Sequence, residues 1–177
     1  SIPLDKWNIS DQAVDYIYIG ENAIGFEIPG TLGVIVDEHV WEAQSLKPRL
    51  YPLIPADSYM EKGELSSELN FIQADDSKIY EADFLERLNA STNSVLVLET
   101  KSNHAMPALR RAFIELINAD CKIPVVIKRK YSDLSKEAFQ IYASTDVGGL
   151  FLDGLGDGIW IHGEGVDPKN TNSLSFG

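Results

Sequence analysis

Residues 94–127 read SVLVLETKSNHAMPALRRAFIELINADCKIPVVI, and this stretch decides the fold class. Ser94-Val95-Leu96-Val97-Leu98 is a short apolar run of the kind a strand buried on both faces requires. Met106, Leu109, Phe113, Leu116 and Ile117 then recur at spacings of three and four, while Arg110, Arg111 and Glu115 fall largely on the other side. That spacing predicts an amphipathic helix from about Met106 to Asp120, with Ser102 or Asn103 as its cap and Pro107 in its first turn. Pro124-Val125-Val126-Ile127 supplies the next strand. Two strands joined by a helix of this length imply a crossover and parallel pairing.

The rhythm continues outward from this unit. Downstream, Ser132 or Asp133 caps a helix carrying Leu134, Ala138 and Ile141, and Gly148-Gly149-Leu150-Phe151-Leu152 is expected as the following strand. Upstream, Phe71-Ile72-Gln73 reads as a short strand, with Ala82, Leu85 and Leu88 marking the helix after it. Tyr16-Ile17-Tyr18-Ile19 and Val34-Ile35-Val36 read as strands, and Gly20, Gly25, Pro29 and Gly30 forbid a regular helix between them. Residues 56–70 are open to either an exposed helix or a mobile loop. The expected class is α/β, built from repeated strand–helix units with a mainly parallel sheet. Residues 1–163 are read as the domain, and the Gly-, Asn- and Ser-containing tail 164–177 as a linker.

Composition narrows the function classes. Lys and Arg number 15 against 27 Asp and Glu, a net charge of -12, which opposes binding to nucleic acid or to anionic lipid. No apolar stretch approaches the roughly 20 residues of a bilayer span, and no signal peptide is visible. The chain does not begin with Met, as expected of a piece of a longer protein. Cys121 is the only cysteine, pointing to a reducing, cytoplasmic setting. One thiol cannot hold an iron–sulfur cluster or a structural zinc. His39, His104 and His162 are scattered without metal-ligand spacing.

Two constellations carry possible chemistry. In Asp153-Gly154-Leu155-Gly156-Asp157-Gly158, alternate glycines let a ligand approach the backbone, so Gly154, Gly156 and Asp157 are candidate substrate-binding residues. The alternative is a tight turn between two strands with solvated aspartates. The preceding segment is read as a buried strand running into this loop, which therefore falls at a carboxyl end, where parallel α/β folds bind ligands. Glu99, Lys101, Lys128, Arg129 and Asp153 would then share one rim, as an acid–base constellation or as an ordinary charged edge. Trp7, Trp41 and Trp160 lie outside the clear helical and strand faces and are candidates for an interface, or else for the core.

The segment from Val147 to Gly158, Val-Gly-Gly-Leu-Phe-Leu-Asp-Gly-Leu-Gly-Asp-Gly, resembles the end of the insert domain in three-domain 4-hydroxy-3-methylbut-2-enyl diphosphate synthases. The apolar strand after Pro124, the Tyr16–Gly20 run and Leu174-Ser175-Phe176-Gly177 resemble further landmarks of that family. The likeness is good over residues 81–177 and thin over residues 1–80. It implies a parent enzyme of isoprenoid biosynthesis that reductively converts 2-C-methylerythritol 2,4-cyclodiphosphate to 4-hydroxy-3-methylbut-2-enyl diphosphate. It implies electrons from ferredoxin or flavodoxin through a 4Fe-4S cluster held by a C-terminal domain, with no cofactor in this segment. The partners it implies are the catalytic barrel and iron–sulfur domains of the same chain, with residues 164–177 leading toward the latter.

In the family's catalytic barrel a similar Gly-Leu-Gly-Asp loop continues into Thr-Ile-Arg. Here the continuation is Gly158-Ile159-Trp160, with no arginine to pair with a diphosphate. At 177 residues the chain is shorter than the roughly 200–250 of a complete eight-unit barrel, so a reduced or open TIM-barrel-like form of about six to eight strands is expected. The expected role is a non-catalytic scaffold; the alternative is a free-standing small α/β enzyme or sugar-phosphate-binding domain using loop 153–157 with Lys101 and Lys128.

Overall fold

The computed structural model describes residues 14–22, 28 and 30–165. Seven parallel strands pair in chain order: β1 (Tyr16–Gly20), β2 (Gly33–Asp37), β3 (Leu50–Pro55), β4 (Asn70–Asp75), β5 (Ser94–Glu99), β6 (Val125–Tyr131) and β7 (Gly158–Gly163). Helices α1 (Glu38–Ala43), α2 (Ala56–Lys62), α3 (Ala82–Ala90), α4 (Ala105–Asn118), α5 (Lys136–Ala143) and α6 (Gly149–Leu152) alternate with the strands from β2 onward. The sheet curls into an open barrel, and the first and last strands approach closely enough for Tyr18 and Trp160 to meet, ring centroids 4.9 Å apart.

The registers sort side chains onto two faces. On the convex face Ile54, Ile72, Leu96, Leu98 and Ile127 pack against Phe84, Leu88, Leu109, Phe113 and Leu116 of the helices, all essentially without solvent contact. On the concave face Ile35, Leu53, Phe71 and Val97 form a second cluster, flanked by Tyr51, Val126 and Trp160. Both faces are buried, which is why the central strands read as continuous apolar runs.

Three local readings differ from the structure. Leu50–Pro55 is a central strand that the sequence hides, because Pro52 and Pro55 break the strand signature. Pro52 pairs in register with Val36 of β2, and pairing with β4 begins only after it, at Leu53↔Phe71. Helix α4 is capped at His104 without a side-chain bond; Ser102 instead accepts from the His104 amide at 3.1 Å. Its Ile117 is exposed, and Ala105 and Ala112 complete the buried face.

The third difference has larger consequences. Gly148–Leu152 is not a strand. Ser135 caps α5 by accepting from the Ala138 amide, and the helix continues through a π turn at Ser144–Gly148 into α6. Phe139, Ala143, Val147 and Leu150 are its buried stripe, at spacings of four, four and three. A short apolar run is the one pattern that strand and buried helix share.

The π turn is pinned from below. Arg129 contacts Asp146 Oδ2 at 3.1 Å and donates to the Thr100 carbonyl at 3.0 Å, while the Tyr131 hydroxyl donates to the same Asp146 oxygen at 2.8 Å. Burial, reinforced by Asp146 and opposed by Arg129, raises the Tyr131 phenol well above its usual range. Both ion-pair side chains are only 14% exposed. Asp146→Ala, which strands the guanidinium, is expected to cost about 3 kcal/mol in a denaturant melt. Asp153→Ala, breaking the half-exposed pair with Arg110, should cost less than about 1 kcal/mol in the same assay.

Candidate functional site

Alternate residues of each strand face the concavity, and their last members line its carboxyl-end mouth. There Gln73 Nε2 donates to Glu99 Oε1 at 2.8 Å, and Lys128 Nζ lies 3.4 Å from Glu99 Oε2. Lys128 also sits 5.0 Å from the centre of the Trp160 ring, which touches Tyr18, whose hydroxyl donates to Asp37 Oδ1 at 2.6 Å. One chain of contacts therefore runs around the mouth through β4, β5, β6, β7, β1 and β2. Burial first, then the bond to Asp37 and the charges of Asp37 and Glu21, push the Tyr18 phenol up to about 12. This phenol stays protonated at neutral pH and acts as a donor, not as a base.

Of the residues expected on one rim, Glu99 and Lys128 do meet. Lys101 is exposed beyond the strand end. Arg129 points to the opposite face, where it holds Asp146, and Asp153 pairs with Arg110 of α4. Gln73, Tyr18, Asp37 and Trp160 complete the mouth through strand register, which no local pattern in the sequence announces.

The loop with Gly154, Gly156 and Asp157 lies at the other end of the sheet. Because a helix precedes it, it delivers the chain to the amino end of β7, beside Val125 at the start of β6. Gly154, with φ of 72°, ends α6: its amide donates to the Phe151 carbonyl and the Leu155 amide to the Leu150 carbonyl, both at 2.9 Å. Gly156 has φ of 93°, and a Cβ there would stand 2.9 Å from Ile127 Cδ1. Asp157 is joined to Val125 twice. Its amide donates to the Val125 carbonyl at 2.8 Å, and its carboxylate accepts from the Val125 amide at 2.8 Å. Gly154 thus ends the helix, Gly156 passes close to Ile127 of β6, and Asp157 ties the start of β7 to β6.

The remaining candidates are dispersed. His39, His104 and His162 are exposed on separate elements. Burial raises the Cys121 thiol, offset in part by a bond from the Ile123 backbone, so it is not an activated nucleophile. Among the described residues no group of three His, Cys, Asp or Glu side chains is placed to share a metal ion. A single cysteine does not fit an iron–sulfur cluster held by several thiolates. Among the described residues no helix is long and apolar enough to cross a membrane. Trp41 is half-buried and donates to the Leu50 carbonyl at 2.9 Å, Trp160 is half-buried at the mouth, and Trp7 lies outside the described residues.

Gly156→Ala should cost about 1–2 kcal/mol, since it combines a left-handed backbone with contact on Ile127. Asp157→Ala should cost a similar amount by leaving the Val125 amide unpaired, whereas Asp157→Asn, which still accepts, should be nearly silent in a denaturant melt. For Tyr18, a folded pKa above the unfolded value means that its contribution to stability is complete below about pH 10 and is lost as pH rises through 12. Tyrosinate absorbance should show one late-titrating group that disappears in Tyr18→Phe.

Comparison with known proteins places these features. The chain is 31% identical over 163 residues to the 4-hydroxy-3-methylbut-2-en-1-yl diphosphate synthase (flavodoxin) of Parabacteroides distasonis, covering 92% of this chain and 26% of that protein. It is 30% identical over 95 residues to the Porphyromonas gingivalis protein of the same name, covering 54% and 16% respectively. With the Bacteroides thetaiotaomicron protein, again of that name, it shares 26% over 170 residues, 92% of this chain and 26% of the relative. No family model and no solved structure matches the chain. It spans about a quarter of the length of the relatives it matches most fully. The chain is thus similar to one segment, about a quarter of the length, of proteins named 4-hydroxy-3-methylbut-2-en-1-yl diphosphate synthase (flavodoxin).

Proposed function

We propose that this chain is a non-catalytic scaffold domain within a larger synthase that reductively converts 2-C-methylerythritol 2,4-cyclodiphosphate to 4-hydroxy-3-methylbut-2-enyl diphosphate. Residues 1–163 form the insert between a catalytic barrel and an iron–sulfur domain of the same polypeptide, and residues 164–177 lead toward the latter. The 4Fe-4S cluster belongs to that neighbouring domain. The electron donor is flavodoxin, as in the names of the relatives, and the setting is cytoplasmic.

The observation that carries this reading is the state of the mouth, the place where such barrels do chemistry. Its cation, Lys128, is held by Glu99 and the Trp160 ring, and the glycine loop is engaged at the opposite end in holding strand register. Ile114, Ile117 and Leu152 on the outer helices are exposed apolar side chains suited to contact with neighbouring domains.

Calorimetric titration of the 177-residue chain with the cyclodiphosphate and with pyrophosphate is expected to give no saturable heat. Micromolar binding would overturn the scaffold reading in favour of a sugar-phosphate-binding domain. In the whole enzyme, Glu99→Gln with Lys128→Met should leave kcat within about threefold, a barrier change of about 0.7 kcal/mol. Deleting the segment should abolish turnover while the spectroscopic signal of the cluster persists.

A further inference from the structure

Three side chains at the mouth stand in an order that suits the passage of an electron and a proton. Trp160 is half-buried and packs against the concave cluster of Ile35, Leu53, Phe71 and Val97. Its indole touches the Tyr18 phenol, ring centroids 4.9 Å apart and planes inclined at 53°. Tyr18 is 44% exposed, and its hydroxyl donates to Asp37 Oδ1 at 2.6 Å. A core-facing indole, an outward phenol and a carboxylate base therefore follow one another from β7 to β1 to β2.

The geometry points to a one-electron relay in which Trp160, Tyr18 and Asp37 carry an oxidising equivalent from the core-facing indole out to the exposed phenol. The oxidant is a radical of the peroxyl class, which takes one electron from Trp160 and departs as a peroxide anion. Tyr18 gives an electron to the indole radical cation, while its hydroxyl proton passes to Asp37. The products are a neutral indole, a neutral phenoxyl radical and a protonated carboxyl group. A soluble thiolate returns the electron and becomes a thiyl radical, and Asp37 returns the proton.

The surroundings set the direction. Lys128 Nζ lies 5.0 Å from the indole centre, and its charge disfavours a radical cation there by direct repulsion. A phenol that sheds its proton on oxidation ends as a neutral radical and escapes that repulsion. Asp37 already holds the hydroxyl in a hydrogen bond, so it accepts the proton without any heavy atom moving. Glu21, a second negative charge acting at this phenol, favours a proton on Asp37 over a bare carboxylate. The exposure of Tyr18 leaves its radical within reach of a small thiol, whereas the core screens one side of Trp160.

The test uses the 177-residue chain carrying Trp7→Phe and Trp41→Phe, which leaves Trp160 as its only indole. Pulse radiolysis at neutral pH supplies azidyl radicals, in place of peroxyl radicals, to oxidise that indole. Its radical absorbance is expected to decay while phenoxyl absorbance grows in, at a rate independent of protein concentration. In Tyr18→Phe the indole radical should last several-fold longer. In Asp37→Asn, which keeps a hydrogen-bond acceptor but loses the base, the transfer should slow several-fold. An indole lifetime unchanged by Tyr18→Phe would overturn the relay. A decay that scales with protein concentration would overturn it too, by assigning the transfer to encounters between molecules. An Asp37→Asn rate equal to that of the parent would refute the proton path. Should Tyr18→Phe not fold, as judged by circular dichroism, the concentration dependence and the Asp37→Asn rate still decide.

Discussion

Parallel strands cannot be joined by hairpins, and this constraint orders the whole molecule. Every strand leaves the sheet at its carboxyl end, and every connection must travel back to the amino end before the next can begin. The two ends therefore carry different duties. Connections arriving at the amino end set register, as the paired bonds between Asp157 and Val125 do for β6 and β7. Side chains at the departing end are relieved of that duty and converge on a common mouth.

In this chain the polar groups named at the mouth are engaged with one another. Glu99 and Lys128 neutralise one another, Gln73 directs a donor to Glu99, and the Tyr18 hydroxyl is committed to Asp37. An acidic protein with net charge -12 that kept an unpaired cation at this position would hold a ready anion site. Here the lysine is shared between a carboxylate and an indole face, and the arrangement brings the first and last described strands together through Tyr18 and Trp160.

Much of this is legible in the residues. The β5–α4–β6 unit announces itself because period and run length agree, and β1, β2 and β4 are visible for the same reason. β3 is hidden by Pro52 and Pro55, since a proline's cost to a ladder depends on which neighbour its missing donor would have served. The last helix reads as a strand because Gly148-Gly149 looks like punctuation. The stripe Phe139, Ala143, Val147, Leu150 is there to be counted, but the π turn breaks a regular 3.6-residue phase. Exchanging that one strand for a helix moves the Gly154–Asp157 loop from one end of the barrel to the other. The mouth is half legible: Glu99 and Lys128 end apolar runs, whereas Tyr18, Asp37 and Trp160 join them only through the curl of the sheet.

The identity of strand order and chain order bears on how the molecule comes to be made. Each strand pairs with its immediate predecessor, so no strand waits for a distant partner before it can dock. Loop-closure entropy is met in small steps, which favours rapid assembly relative to sheets of shuffled order. As the chain emerges from the ribosome, each strand–helix unit finds its template already in place. A segment folded in this sequential way reaches its native state using only the residues synthesised before it. It can therefore stand within a longer polypeptide without delaying, or depending on, any domain translated later.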